Sequence, residues 1–190
     1  MKVLGRVFIG FALGAMAVSA TAQSSAGYEG EQFVGAVRSG DNDKALELLG
    51  KNPNVVNSRD YAGHTPLVSA IQNHDPGWTG ELLRRQADPN AADKSGETPL
   101  IAAARIGFND AAEWLLSVGA SVDKDNRMGE TPLIIAVQQR NLPMVKLLLD
   151  HGADPDKRDS AQGFSARDYA KRDNRTPELL KLIEAKKPAP

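Results

Sequence analysis

The chain repeats itself, and the period decides what it can fold into. Gly63, Gly96 and Gly129 stand 33 residues apart, and each is followed one residue later by Thr-Pro-Leu: Thr65-Pro66-Leu67, Thr98-Pro99-Leu100 and Thr131-Pro132-Leu133. Self-similarity at a fixed spacing of about 20–50 residues is the signature of a solenoid. Gly163, 34 residues after Gly129, opens a divergent copy running through Phe164, Ser165, Ala166, Arg167, Asp168, Tyr169 and Ala170. Upstream, residues 31–57 carry the helical half of an earlier copy.

One unit can be read from physical chemistry alone. Thr98 is a good N-cap, because its hydroxyl can accept from the free N–H groups of the coming turn. Pro99 suits the first helical position, where no intrahelical N–H is needed. Leu100, Ala103 and Ala104 form a narrow apolar stripe at helical spacing, with small side chains that admit a close neighbour. Gly107 can end that helix in the left-handed conformation. Asn109 is placed to cap a second helix through Ala112, Leu115 and Leu116, with Gly119 ending it. Residues 120–123 then return to the next turn. Such a unit cannot bury its apolar faces alone, so its stability must come from stacking.

The pattern resembles the ankyrin repeat family over residues 31–186. The likeness rests on Gly-x-Thr-Pro-Leu, the alanine-rich first helix, Leu-Leu late in the second, and the returns Gln86-Ala87-Asp88-Pro89-Asn90 and His151-Gly152-Ala153-Asp154-Pro155-Asp156. It implies an all-α, ankyrin-type solenoid of helix-turn-helix repeats joined by short hairpin-like turns. About five units are expected, near 31–60, 61–93, 94–126, 127–160 and 161–186, the first and last being degenerate caps. One departure stands out: the histidine that usually follows Thr-Pro-Leu is here Val68, Ile101 and Ile134. An apolar side chain cannot make that histidine's bonds to neighbouring turns, so less rigid turns are expected. Trp78 and Trp114 fall at core positions in the register, with a surface anchor as the alternative for each. Gly77 and Gly80 weaken the second helix of their unit, by up to about 1 kcal/mol apiece in a helix interior.

Residues 1–22 read as a secretory signal peptide: Lys2 and Arg6, an uncharged apolar run over residues 7–18, then Ala20-Thr21-Ala22 as the cleavage site. The run is too short to cross a roughly 30 Å hydrocarbon core as a helix. A spacer over 23–30 and a tail over 187–190 flank the repeats. Without Lys2 and Arg6 the chain has 21 basic and 24 acidic residues, a net charge of −3. The expected home is the periplasm, with secretion as the alternative, and no stable membrane insertion follows cleavage. No basic field advertises nucleic acid. The lack of cysteine removes disulfides, thiolate metal sites and a cysteine nucleophile.

Catalytic patterns are absent. His64, His74 and His151 stand at no metal-ligand spacing from one another. The stretch 123–130 imitates a calcium loop, but Arg127 occupies a ligand position and Met128 replaces the required glycine; 154–159 fails similarly. No glycine-rich phosphate loop follows a strand pattern. The reading is therefore no enzyme and no cofactor.

What the resemblance implies is recognition of a protein partner through turn tips and the exposed edges of the first helices. Carried over position by position, the candidate binding residues are Tyr61, His64, Lys94, Glu97, Arg105, Ile106, Arg127, Met128, Glu130, Gln138 and Gln139. The module would act as adaptor, stabiliser or inhibitor. The alternative is an envelope-associated protein that holds an anionic polymer through Lys171, Arg172, Arg175, Lys181, Lys186 and Lys187.

Overall fold

In the computed structural model the protein is described over residues 15–185, with side chains described from residue 27. Residues 1–14 of the expected export signal, and the tail, lie outside the described residues. Ten α-helices and no strands occur among the described residues. They pair as α1 (Ala15–Ser39) with α2 (Asn42–Lys51), α3 (Pro66–Gln72) with α4 (Pro76–Arg84), α5 (Pro99–Ile106) with α6 (Asn109–Ser117), α7 (Pro132–Gln138) with α8 (Leu142–Asp150), and α9 (Ala166–Arg172) with α10 (Pro177–Ala185). The first helices stack in the order α1, α3, α5, α7, α9. The second helices from α4 to α10 form a parallel layer behind them. The stretch 23–30, expected as a spacer, is helical within α1, and Gly30 packs so tightly on Ser58 that a Cβ there would lie 2.5 Å from the serine Cβ.

Thr-Pro-Leu starts each central first helix by one mechanism. The Oγ1 atoms of Thr65, Thr98 and Thr131 each accept, at 3.2 Å, from the N–H of Val68, Ile101 and Ile134. Proline occupies the first helical position in all three. In the divergent unit Ser165 and Asp168 form a reciprocal capping box instead. Four of the first helices, α1, α3, α5 and α7, end on a left-handed residue at the reversal: Gly40, His74, Gly107 and Arg140, with φ of 73°, 54°, 74° and 54°; α9 ends on Asp173 at φ −81°. The two non-glycine members are held by the next unit. His74 stacks on Phe108 with ring centroids 4.1 Å apart, and Arg140 pairs with Asp173 at 2.6 Å.

The second-helix caps show one correction. Asp41, Asp75 and Asn141 cap α2, α4 and α8 through their side chains, whereas the N-cap of α6 is Phe108, which makes no such bond. Asn109, expected as the cap, lies one residue inside α6. Its Oδ1 accepts from Asn141 Nδ2 at 3.0 Å and ties two units together. Phe108 is instead buried between His74 and Trp114. At this position the ring's packing has outweighed the roughly 1 kcal/mol that a polar cap supplies.

The core is a set of columns at the repeat spacing. Leu67, Leu100 and Leu133 form one on the first helices; Leu82, Leu115 and Leu148 form one on the second helices, and all six are buried. Val68, Ile101 and Ile134, which stand where the family has histidine, are fully buried and belong to this core. The tryptophans divide. Trp78 shares the inward column of Ala111 and Met144, is 7% exposed, and meets Phe33 edge-on at 5.8 Å. Trp114 shares the outward-leaning column of Glu81 and Leu147 and is only half-buried, its ring edge-on to Phe108 at 6.2 Å. It is not a core residue, because that column faces away from the first helices.

Two small substitutions test this packing. A Cβ at Gly80 meets nothing within 4 Å, so Gly80→Ala is expected to stabilise α4 by about 0.5–1 kcal/mol, read as a rise in urea midpoint at constant slope. Ser69 Oγ is buried without a hydrogen-bond partner, in the column that holds Ala102 and Ile135 in the next two units. Ser69→Ala is therefore expected to raise the thermal midpoint, by the equivalent of about 1 kcal/mol, and a drop would show that the hydroxyl is satisfied in solution.

Candidate partner-binding face

The turns between units are built around one polar side chain each. Asp60, Asp93, Asn126 and Asp159 occupy the column at which the chain reverses. An Oδ1 of each accepts from backbone N–H groups across its own turn: His64 for Asp60 (2.9 Å), Ser95 and Glu97 for Asp93 (2.7 and 2.9 Å), Met128 and Glu130 for Asn126 (2.9 and 3.0 Å), Gln162 and Gly163 for Asp159 (2.7 and 3.0 Å). Successive turns are then sewn together through the backbone. Lys94 N–H donates to Ala62 C=O, Arg127 N–H to Ser95 C=O, and Ser160 N–H to Met128 C=O, at 3.3, 3.0 and 2.8 Å. The coupling that the missing family histidine would supply thus has a backbone substitute.

Side chains extend that coupling along the face. His64 Nδ1 lies 3.1 Å from Asp60 of its own turn and its Nε2 3.6 Å from Asp93 of the next, while Arg38 pairs with Asp60 at 2.8 Å. Arg105 Nε lies 3.2 Å from Glu97, and its other nitrogen 3.7 Å from Glu130 in the following unit. Gln72 donates to Glu97 and Asn126 to Glu130. His64, Glu97, Arg105 and Glu130 are therefore brought together as a paired polar frame rather than as free contact groups. Half-exposed ion pairs of this kind contribute about 0–1 kcal/mol each, so the frame's main effect is to hold the tips in register.

Standing out from the frame are Tyr61, Met128 and Ile106, at 82, 51 and 39% exposed. Lys94, Arg127, Gln138 and Gln139 are exposed beside them; Lys94 folds its Nζ onto the Tyr61 carbonyl, and Arg127 has no side-chain partner among the described residues. The last unit adds Phe164 and Tyr169 to the face, beside Arg172 of the basic carboxy-terminal set. Tyr169 donates to Asp159 Oδ2 at 2.6 Å, Arg172 lies 3.9 Å above the Phe164 ring, and both line a cavity of about 260 Å³ with Val137, Gln138, Arg140 and Asp173. The signal that could have found them was the repeat register itself, continued one unit further.

The turn carboxylates ionise readily. Burial pulls Asp60, Asp93 and Asp159 up, but hydrogen bonds to the charged form outweigh it: from the His64 side chain and N–H and Arg38 for Asp60, from the Ser95 hydroxyl and the Glu97 and Ser95 N–H groups for Asp93, and from the Tyr169 hydroxyl and turn N–H groups for Asp159. All three are thus held below the ordinary 3.8. Asp123 runs the other way, raised by burial more than the Asp154 N–H lowers it. A depressed carboxylate stabilises the fold above its unfolded value, and that contribution is lost as pH falls through the folded value. The thermal midpoint is therefore expected to hold from neutral pH to about pH 5 and to fall steeply below about pH 4. Asp60→Asn should flatten part of that fall.

Residues 78–159 match the family model for ankyrin repeats (3 copies), the span from α4 through the turn before α9. These are ankyrin repeats. No curated protein matches the chain. The ankyrin pairing of helices extends beyond the matched span on both sides, to α1 with α2 and α9 with α10, so the divergent end units keep the architecture after losing its consensus. Ankyrin repeats are protein–protein interaction modules, and no helix among the described residues is long and apolar enough to cross a membrane.

Proposed function

We propose that this ankyrin stack is an exported, non-enzymatic module that holds a partner protein on the face formed by its turn tips and first-helix edges. The observation that carries the reading is the exposure of Tyr61, Ile106 and Met128 on one face whose intervening polar groups are paired with each other. Exposed aromatic and aliphatic side chains on a rigid frame are the composition of interface anchors, since little entropy is lost when they are covered. The amino-terminal pattern of Lys2, Arg6, an apolar run and Ala20-Thr21-Ala22 supports export to the periplasm.

The test is affinity capture from periplasmic extract, with the exported chain beside a variant in which Tyr61, Lys94, Arg127 and Met128 are all alanine. Both must show equal helical circular dichroism and equal thermal midpoints. A protein retained by the first and lost with the second identifies the partner and its face. Equal retention by both moves the interface off the tips and overturns this reading.

A further inference from the structure

The repeat register exposes a substitution in the last unit that leaves a cation uncompensated. Residue pairs eight apart link each turn to the end of its first helix: His64 with Gln72, Glu97 with Arg105, Glu130 with Gln138, Phe164 with Arg172. In the third unit the pair is an ion pair, Glu97 to Arg105 at 3.2 Å. In the last unit the arginine is present and the carboxylate has become an aromatic ring. The Arg172 guanidinium lies 3.9 Å from the Phe164 centroid, and no carboxylate among the described residues is paired with it. A ring face positions a guanidinium without neutralising it.

Arg172 also lines the cavity of about 260 Å³ between α7 and α9. The other polar groups there are already disposed. Asp173 accepts from Arg140 Nε at 2.6 Å and from the Arg175 N–H at 2.8 Å, and the Tyr169 hydroxyl is donated to Asp159. Among the lining side chains two arginines face one carboxylate, which Arg140 already holds, and Asp159 stands behind the Tyr169 hydroxyl; Arg172 is the lining cation left without a carboxylate partner.

We propose that this cavity is a carboxylate receptor that takes an acidic side chain from an extended segment of the partner. The Arg172 guanidinium is a planar fork of donors held on a ring, a shape that favours bidentate pairing with a carboxylate. The proposal rests on the reading of this face as the binding face and gives the partner's chemistry: an acidic segment. A chain-terminal carboxylate would satisfy the same donors and is separated from it below.

The test follows the arginine Nε–H resonances of the isotope-labelled protein during titration. The probes are a short end-blocked peptide with a single glutamate, its glutamine counterpart, an uncharged peptide with a free carboxyl terminus, and inorganic phosphate. The Arg172 resonance is expected to shift saturably with the glutamate peptide and not with the glutamine one. Arg105, whose place is filled by Glu97, should stay still. Arg172→Gln is expected to weaken binding about tenfold or more. Phe164→Glu, which installs the carboxylate that Glu97 and Glu130 supply at this position in earlier units, should abolish it, with Phe164→Leu, which removes the edge-on contact to Tyr169 without adding charge, retaining it. Equal shifts at Arg105 and Arg172, or binding that survives Phe164→Glu, would overturn the proposal. Tighter binding of the free carboxyl terminus would overturn the side-chain source, and tighter phosphate binding would replace the acidic peptide with an anionic polymer. A partner captured through the tips yet indifferent to both variants would sink the receptor and leave the binding face standing.

Discussion

Replacing Trp78 with alanine is expected to destabilise the protein by about 3–5 kcal/mol, the range for deleting a large buried ring. The effect is that large because the ring fills the core where the first two units meet, beside the packing of α1 on α3 and the Asn73 amide's bonds to the Val37 and Arg38 carbonyls. Its ring meets Phe33 of α1 edge-on, and its Nε1 donates to Asn42 Oδ1 at the start of α2, at 2.7 Å. α2 and α4 otherwise stand apart, with a groove of about 330 Å³ between them lined by Asn42, Leu46, Gly77 and Trp78. In a stack whose stability is a sum of units and nearest-neighbour interfaces, weakening one interface loosens the end. Urea unfolding of Trp78→Ala followed by circular dichroism should therefore show an early transition for α1 and α2. The remaining Trp114 fluorescence should report the later one. A single coincident transition with a loss under about 1 kcal/mol would mean that the ring contributes little to joining the units.

Gly129→Ala is the second large effect. Gly129 has φ of 74°, which costs a residue with a Cβ about 1–3 kcal/mol. Its Cβ would also lie 2.6 Å from the Ser160 backbone nitrogen, the atom that donates to Met128 C=O to join the two turns. Overpacking against backbone adds a comparable amount. Gly163 supplies the control. Its φ is 70°, but a Cβ there meets nothing within 4 Å, so Gly163→Ala should cost only the conformational part. Equal losses from the two substitutions, measured as urea midpoints, would show that close approach of the turns contributes nothing.

How far the sequence reaches can be judged residue by residue. Thr65, Thr98 and Thr131 cap where the sequence puts caps, since capping depends only on a hydroxyl, a proline and the next three residues. The Gly63, Gly96 and Gly129 turns are equally local, because the demand for a left-handed residue is written into the backbone. Phe108 at an N-cap, with Asn109 bonded instead to Asn141, could not be read that way; the choice was made by His74 and Trp114 from other parts of the stack. Trp114 was misplaced for a related reason. A helix this short has two apolar columns, and only the neighbour's position says which one is inside.

The candidate face divides along the same line. Tyr61, Met128 and Ile106 were nameable from register, because exposure at a turn tip follows from the repeat. The pairing of Glu97, Arg105 and Glu130 was not, since their charges lie eight and 25 residues from one another and meet only when two units stack. Arg172 was named only as one of a basic carboxy-terminal set; its place over Phe164 was not legible, because the last unit has lost the consensus. The sequence by itself thus determined the repeat, its threonine caps, its turns and its tip residues, all of which depend on interactions within one unit. Which ring is buried, which charges are satisfied and which cation is left open were decided by tertiary structure alone. Those outcomes depend on distances between units, and a period sets only their order along the chain.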